Sequence, residues 1–322
     1  MKKHILCGIL SICLLLSACG GKSELTLRAN ELLAVGDLVC TWPEAQMFIL
    51  SQYNKYTSVY GRGIWNVEMA EGNFEGYIKA GLLDYLKLLF LADYGARKAE
   101  LSLSSAEQNA VSRAADSFMK ALGEEGSARS GITRAIAEEA YARFARAQIF
   151  YRQTMIDGQV EVSEEKARVI YVQIVELEQR VGYNQTREIL KGLESGKTVS
   201  EMLRGLEGVS SRKENIARGM LPQELETIAF ALKEGQWSPI ISQGTSYYLI
   251  QSLSPYVLEE TARHKAEMEQ TAREENLNQV LKGLADSVEL IYNPNRWNSW
   301  TMEQYSALPQ VNFYDFCGEL LK

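Results

Sequence analysis

Residues 167–175 read ARVIYVQIV, a run in which β-branched and aromatic side chains predominate. Such a composition is typical of a β-strand, because side chains branched at Cβ fit an extended backbone better than a helical one. The chain after this run has the patterns of three helices and then of two closing strands, at residues 184–193, 199–206, 222–232, 238–242 and 247–253. The strand, the helices and the strand pair together predict a small α+β domain over residues 162–254.

The chain before this domain carries clear helix start signals. Thr41 lies three residues before Glu44, so the two side chains can form a capping box at the first turn of a helix. Ser104 and Glu107 have the same spacing and predict a second capped helix. A glycine- and serine-containing stretch, residues 123–131, predicts the loop that ends this second helix.

The spacing of apolar residues predicts the remaining elements of the N-terminal region. Apolar residues recur at spacings of three and four over residues 74–98 and 132–156, which predicts two further helices with one buried face each. Residues 31–40, centred on Gly36, predict two short strands around a tight turn. We therefore expect a mainly helical domain over residues 31–160.

The C-terminal region begins with a long charged helix over residues 258–286 and ends in an aromatic tail. The aromatic residues of this tail are Trp297, Trp300, Tyr305, Phe313, Tyr314 and Phe316. So many large apolar side chains need burial, so we expect residues 255–322 to pack on the N-terminal helices. The sequence thus predicts an α+β protein in which a small α+β domain is inserted into a mainly helical one.

Composition excludes several classes of function. The net charge of −7 argues against a dedicated nucleic-acid binder, which normally carries a basic surface. His4 and His264 are the only histidines, so no mechanism that needs a histidine pair in the folded body is available. The cysteines show no CxxC or other metal-ligand spacing, and we expect neither a metal nor a cofactor.

The N-terminus has the pattern of an export signal. Lys2 and Lys3 precede an apolar run over residues 5–16, which is too short to span a membrane but suits a signal sequence. The run ends in Leu-Ser-Ala-Cys at residues 16–19, which resembles the bacterial lipobox. We expect residues 1–18 to be a signal peptide, Cys19 to carry the lipid and residues 19–30 to be a tether. The protein is then extracytoplasmic and attached to a membrane through Cys19.

Two further cysteines, Cys40 and Cys317, remain in the mature chain. Both are flanked by apolar residues, which favours two buried free thiols. An oxidising compartment also permits a disulfide between them. The sequence leaves this alternative open.

Residues 167–252 resemble a parvulin-type peptidyl-prolyl isomerase domain. The segments that carry this resemblance are ARVIYV at 167–172, ILKGL at 189–193, GKTV at 196–199, RGML at 218–221, AFALKEGQWSP at 229–239 and YYLI at 247–250. The flanking architecture, with a signal, N-terminal helices, an inserted domain and a long C-terminal helix, is similar to that of the PrsA/SurA foldase family. This resemblance implies a lipid-anchored foldase that binds unfolded, newly exported polypeptides.

The chain departs from the parvulin pattern at the positions that matter for catalysis. Active parvulins place two histidines beside a Cys or Asp around the prolyl bond, and the matching positions here are Val169 and Tyr248. Ser210, in a predicted loop over residues 209–215, has no Cys or Asp beside it. The resemblance also implies an apolar proline pocket, for which Leu221, Leu225 and Phe230 are the candidates; the same three residues are equally consistent with a domain core.

Three functions follow from these observations. The first is a foldase whose chaperone activity dominates and whose isomerase domain is weak or silent. The second is an active isomerase in which Tyr248 and Ser210 orient the prolyl amide. The third is a non-catalytic lipoprotein of the envelope, such as a scaffold or a solute-binding protein.

Overall fold

The computed structural model describes residues 26–158 and 160–320, and these divide into two compact units. The helical unit contains residues 26–158 and 275–320, and the α+β unit contains residues 160–274. The predicted signal peptide and Cys19 lie outside the described residues. Both units contain helices and antiparallel strands, so the predicted α+β, mainly helical fold class is confirmed.

The strands are β1 (Glu31–Val35), β2 (Leu38–Thr41), β3 (Val169–Glu178), β4 (Val209–Ala217), β5 (Ile241–Gln243), β6 (Ser246–Ser254) and β7 (Leu290–Tyr292). The α-helices are α1 (Trp42–Tyr60), α2 (Phe74–Lys98), α3 (Ser105–Ser130), α4 (Arg134–Asp157), α5 (Glu164–Ala167), α6 (Tyr183–Glu194), α7 (Val199–Leu203), α8 (Gln223–Ala231), α9 (Leu258–Ser287) and α10 (Pro294–Asn298). The chain passes from the α+β unit to the helical unit within α9. The first part of this helix belongs to the α+β unit, and its second part belongs to the helical unit.

The helical unit begins with the predicted hairpin. Strands β1 and β2 pair in antiparallel fashion, and β7 pairs with the other edge of β1. Gly36 forms the turn with a φ of 57°, and a Cβ at this position would lie 3.0 Å from the ring of Tyr94. Glycine therefore satisfies both the left-handed backbone and the close approach of Tyr94.

Both predicted helix starts are present, but only one of the two predicted capping boxes forms, because the Glu44 carboxylate accepts from Arg143 rather than from the backbone of Thr41. The side chain of Thr41 accepts a hydrogen bond from the backbone N–H of Glu44 at the start of α1, and Ser104 and Glu107 form a reciprocal capping box at the start of α3. The predicted loop over residues 123–131 is wrong. Gly123 adopts a non-helical conformation (φ 70°, ψ 171°) that kinks α3, and the helix then resumes to Ser130. One glycine gives a kink rather than an end here because the residues beyond it still have buried positions to fill.

The aromatic tail enters the core of the helical unit. Phe313 is fully buried and its ring stacks on that of Tyr141, with ring centroids 4.2 Å apart and planes 6° apart. The hydroxyl of Tyr141 donates a hydrogen bond to the backbone carbonyl of Phe313 at 2.9 Å. The ring of Phe48, which lies on α1, is 4.7 Å from that of Phe313. Trp297, Trp300 and Tyr305 are buried in the same core, and Cys40 and Cys317 are free thiols within it.

A buried cluster of charges joins three helices of this unit. Arg143 on α4 is 4% exposed and donates to Glu44 on α1 at 2.9 Å and to Asp93 on α2 at 2.6 Å. Asp93 is completely buried and also accepts from Arg146 on α4. Burial raises the pKa of Glu44, while the neighbouring Arg143 acts to lower it. Glu139, a more exposed carboxylate on α4, contacts Arg143 and Arg146 from the solvent side.

The α+β unit is built around β3. Its four-stranded antiparallel sheet has the order β4-β3-β6-β5. Ile170, Val172 and Ile174 lie on one face with the apolar residues of α8, whereas Val175 and Leu177 lie on the other face with those of α6. Both faces of the strand are thus buried, which explains its continuous apolar composition.

The polar stretch at residues 209–215 is a strand and not the predicted loop. It forms most of β4, which pairs with β3 from Val209 to Ala217. Its side chains are mostly exposed on both faces, so the stretch lacks the apolar alternation by which a strand is recognised. Backbone hydrogen bonds to β3 hold it in place, and these depend little on side-chain type.

Within residues 26–158 and 160–320, none of the helices combines the length and the apolar composition needed to cross a membrane.

We predict that Asp93→Asn destabilises the helical unit by about 3–5 kcal/mol, because it leaves the buried Arg143 without one of its two buried carboxylate partners. For a unit of this size the melting temperature should fall by roughly 6–20 °C. Scanning calorimetry of the whole protein measures this shift. Because we expect the α+β unit to unfold independently, its transition should stay in place.

Glu139→Gln is the matched control, since it removes a carboxylate from the same arginines at a position that is about half exposed. This substitution should lower the free energy of unfolding of the helical unit by about 1 kcal/mol or less. Equal effects of the two substitutions would contradict the role given to Asp93. A joint shift of both transitions would contradict the independence of the units.

Candidate functional site

A polar row crosses the α+β sheet at Ser210, Glu176 and Tyr248, with Glu176 in the middle. Tyr248 lies on β6 directly opposite Glu176 of β3, and its hydroxyl donates a hydrogen bond to the Glu176 carboxylate (Oε1) at 2.8 Å. Ser246 donates to the same carboxylate oxygen at 3.1 Å, and Arg212 of β4 lies 3.8 Å from the other oxygen. Glu176 therefore connects three strands at one end of the sheet.

The pKa of the Tyr248 phenol is raised, chiefly by burial and then by the hydrogen bond to Glu176. A raised pKa keeps the phenol protonated, so at neutral pH it acts as a hydrogen-bond donor. This donor is already used by the Glu176 carboxylate.

Ser210 belongs to the same row. It is exposed on β4 directly opposite Glu176, and residues directly opposite each other in antiparallel strands project from the same face. Ser210, Glu176 and Tyr248 thus lie side by side across three neighbouring strands. The structure brings together two of the three residues that the sequence matched to parvulin catalytic positions.

Val169 does not lie in this row. It begins β3 opposite Ala217, seven positions before Glu176, and the alternation of the strand places the two residues on opposite faces. Its backbone N–H donates to the hydroxyl of Thr261 at 3.0 Å, and its side chain is buried. The structure therefore separates Val169 from Tyr248 and Ser210.

Glu176 was missed by the sequence analysis. The signal for it was present, because Ile170, Val172 and Ile174 alternate along one face of β3 and Glu176 is the next residue on that face. What the sequence did not contain was the register that sets Glu176 between Ser210 and Tyr248.

The three candidate pocket residues lie in the apolar cluster on the same face as the polar row. Leu225 and Phe230 of α8 are buried in it, and Leu221 is half-buried against it together with Tyr248. The ring of Phe230 is flanked by two guanidinium groups, with that of Arg218 at 4.0 Å and that of Arg168 at 5.1 Å.

Arg168 and Arg218 are themselves held in place. Arg168 donates to the backbone carbonyl of Phe230 at 2.9 Å, and both arginines pair with the carboxylate of Glu165. An apolar segment that reached Phe230 would have to displace these cations. The apolar cluster is therefore mostly closed, and its partly exposed members are Leu221, Ile228 and Tyr248.

The helical unit carries a second feature, an exposed apolar surface between α1 and α2. Its residues, which we call the α1–α2 patch, are Val59, Tyr60, Val67, Met69 and Tyr77, all between 41% and 69% exposed. In the same segments the rings of Tyr53, Tyr56, Trp65 and Phe74 contact one another, and the ring of Tyr77 lies 6.4 Å from that of Phe74.

The connection that bears the patch is ordered by hydrogen bonds. The indole N–H of Trp65 donates to the hydroxyl of Thr57 at 3.0 Å, and the backbone N–H of Phe74 donates to the carbonyl of Val67 at 2.8 Å. These bonds tie the connection to α1 and to its own far end. The patch is thus a fixed surface on which apolar side chains face solvent.

No group of three or more His, Cys, Asp and Glu side chains in the described part of the chain is arranged to hold a metal ion.

Solved structures similar to this chain are foldases of the PrsA type and SurA-like chaperones. PrsA from Lactococcus lactis is 15% identical, with 79% of this chain and 90% of that one covered and a TM-score of 0.32. A structure from the study of two structurally related SurA-like chaperones of Campylobacter jejuni is 9% identical, with coverages of 82% and 98% and a TM-score of 0.30. PrsA from Bacillus cereus is 14% identical, with coverages of 68% and 88% and a TM-score of 0.28.

No protein-family model matches the chain, and no curated protein does. The solved structures are of the same foldase type that the sequence motifs resemble. By its own fold and site, the chain is a mainly helical α+β protein with a polar row beside a closed apolar cluster.

Proposed function

We propose that this chain is an extracytoplasmic foldase of the PrsA/SurA type that binds unfolded, exported polypeptides as a chaperone. On this proposal its parvulin-like α+β unit is a weak or inactive peptidyl-prolyl isomerase, and a lipid on Cys19 attaches it to the membrane. The α1–α2 patch is the observation that carries the chaperone role.

The patch has the properties that binding to unfolded chains requires. Unfolded polypeptides expose apolar side chains, and clustered exposed apolar residues mark interaction surfaces. Tyr60, Met69 and Tyr77 are large and more than two-fifths exposed, so a bound segment would remove much apolar area from water.

We predict that the triple variant Tyr60→Ser, Met69→Ser and Tyr77→Ser loses most of its ability to suppress aggregation of a reduced, unfolded model protein. A loss of about 1.4 kcal/mol of binding free energy already weakens affinity tenfold, and three large apolar side chains contribute at least that much. Light scattering with purified protein measures the suppression.

The matched control is Tyr183→Ser with Met220→Ser, which removes two exposed apolar side chains of the α+β unit at 55% and 58% exposure. This control should suppress aggregation as the unmodified protein does. If the unmodified protein fails to suppress aggregation, the chaperone role is wrong and the non-catalytic envelope lipoprotein becomes the better hypothesis.

We expect weak isomerase activity because the Tyr248 hydroxyl of the polar row already donates its hydrogen bond to Glu176. Catalysis of prolyl isomerisation needs interactions that are stronger in the twisted transition state than in the planar ground state. The Tyr248 hydroxyl, the donor at a position matched to a catalytic histidine, is bound to the Glu176 carboxylate, and charge-assisted hydrogen bonds are the strong ones. To reach a prolyl carbonyl it would have to leave that partner.

We predict that the whole protein isomerises a Xaa-Pro test peptide at close to the uncatalysed rate in a protease-coupled assay. Loss of one preorganised donor costs about 10²–10³ in rate in acyl transfer, which sets the scale of the expected deficit. Tyr248→Phe should therefore change nothing. Tyr247→Phe, the neighbour on the opposite face of β6, is the control for general effects on the strand.

Substantial turnover that Tyr248→Phe abolishes and Tyr247→Phe leaves intact would contradict this prediction. It would establish the second hypothesis, an active isomerase that uses Tyr248 in place of a histidine.

The lipid anchor is proposed from the lipobox-like sequence at residues 16–19. Each buried CH₂ of an acyl chain contributes about 0.8 kcal/mol to membrane binding, so a cysteine with several chains holds firmly. Cys19→Ser should release the protein from washed membranes and abolish incorporation of labelled palmitate. Ser17→Ala, which keeps a small residue before the cysteine, is the control. Retention of Cys19→Ser protein on membranes would contradict the anchor.

We also propose that residues 31–160 and 255–322 form one chaperone domain into which residues 162–254 are inserted. The burial of Phe313 against Tyr141 and Phe48 supports this arrangement. Calorimetry of the Asp93→Asn variant tests it.

A further inference from the structure

Strand β4 forms one edge of the α+β sheet. It pairs with β3 on one side, and within the described part of the chain no strand pairs with its other side, which we call the β4 edge. The strand is nine residues long, contains no proline and pairs with β3 without a bulge. Proteins usually shorten, bulge or cover such an edge, because its unpaired N–H and C=O groups can bond to another chain.

The backbone groups of β4 point alternately toward β3 and toward the β4 edge. The N–H of Glu178 donates to the carbonyl of Gly208 at 2.8 Å, so Gly208 and every second residue after it bond to β3. The N–H of Ala217, which has the opposite parity, donates instead to the Sδ of Met220 at 3.2 Å. The other residues whose N–H and C=O groups face the edge are Val209, Ser211, Lys213 and Asn215. Among residues 26–158 and 160–320, none pairs with these backbone groups.

A second copy of the chain is a poor partner for this edge. When two identical antiparallel strands pair about a two-fold axis, the central residue lies opposite itself. The middle of β4 is Arg212, Lys213 and Glu214, so each register centred there sets two like charges directly opposite each other, which is destabilising. A register centred between two residues would set an edge-facing residue against one that is already bonded to β3.

Lys213 gives the β4 edge a positive charge that is not neutralised locally. Its side chain is exposed, and its neighbours on the same face of the sheet, Ser211, Asn215 and Gln173, are uncharged. Arg212 and Glu214 project from the other face, where they pair with each other. Among the residues that the structure describes, no carboxylate lies within ion-pair distance of the Lys213 ammonium.

We infer that the β4 edge binds an extended segment of another polypeptide as an added antiparallel strand, with an acidic residue of that segment opposite Lys213. In strand addition, main-chain hydrogen bonds supply the affinity and side chains supply the specificity. The edge-facing backbone groups of β4 provide the first, and Lys213 provides the second. Antiparallel pairing continues the order of this sheet and is the more stable kind per residue.

This site goes beyond the proposed chaperone role. The α1–α2 patch offers apolar side chains to a partner, whereas the β4 edge offers backbone groups and one charge. The triple variant Tyr60→Ser, Met69→Ser and Tyr77→Ser should therefore bind the peptide described next as the unmodified protein does. Loss of peptide binding in that variant would overturn the inference, whereas a failure to suppress aggregation contradicts only the chaperone role.

Hydrogen exchange of the unmodified protein, followed by NMR, tests the inference directly. Without a partner, the amides of Ser211, Lys213 and Asn215 should exchange much faster than those of Arg212 and Glu214, which bond to β3. Millimolar acetyl-Thr-Val-Thr-Glu-Thr-Val-Thr-amide should slow the first three amides at least tenfold and leave the other two unchanged. Unchanged exchange of the three amides would overturn the inference. So would protection without peptide that grows with protein concentration, because a second copy would then cover the edge.

Two N-methylated forms of the peptide distinguish strand addition from other binding. With the peptide Glu opposite Lys213, the amide of that Glu donates to the Lys213 carbonyl, and methylating it should weaken binding at least tenfold. The amide of the preceding Thr points away from β4, so methylating that amide should change the affinity by about twofold or less. Equal effects of the two methyl groups would overturn the inference.

A charge reversal then locates the acidic residue of the bound segment. The unmodified protein should bind the peptide at least threefold more tightly than the same peptide with Lys in place of Glu, and Lys213→Glu should reverse this preference. Lys197→Glu, at an exposed position elsewhere in the same unit, is the matched control and should keep the original preference. An unchanged preference in the Lys213→Glu variant would overturn the inference.

Discussion

The burial of Arg143 between Glu44 and Asp93 is the interaction on which the helical unit depends. A guanidinium out of contact with water costs several kcal/mol unless its partners are close and correctly oriented. Arg143 is 4% exposed, so α1 and α2 have to bring their carboxylates to within hydrogen-bond distance of α4. The ring of Phe90 lies 3.8 Å from the same guanidinium. The cluster thus fixes the relative positions of three helices.

Two of these helices, α1 and α4, also hold the C-terminal tail. Glu44 lies on the same helix as Ser51, whose hydroxyl accepts a hydrogen bond from the backbone N–H of Phe313 at 2.8 Å. Arg143 lies on the same helix as Tyr141, whose ring stacks on that of Phe313. The buried charges and the contacts that bury Phe313 therefore lie on the same two helices, α1 and α4.

The features that the sequence predicted well are those decided by neighbouring residues. The cap at Thr41 and the capping box at Ser104 define helix starts within four residues, and the glycine turn at Gly36 defines a hairpin within ten. The features it missed depend on pairing between distant segments. Asp93 and Arg143 are separated by 50 positions, and nothing in either neighbourhood marks them as partners. Strand β4 is held by its backbone ladder with β3, so its side chains carry no strand pattern.

The composition of the polar row also depends on pairing between distant segments, which the sequence does not reveal. A motif assigns a position along one strand, whereas a site is made by the register between strands, and a shift of one residue moves every side chain to the other face. Val169 matches the motif in sequence, yet it lies on the face opposite Tyr248, and Glu176 holds the position beside Tyr248 instead. A carboxylate there accepts the hydrogen bond of the Tyr248 hydroxyl and lies 3.8 Å from the Arg212 guanidinium. The register between the strands, and not the motif along one of them, therefore decides which groups surround Tyr248.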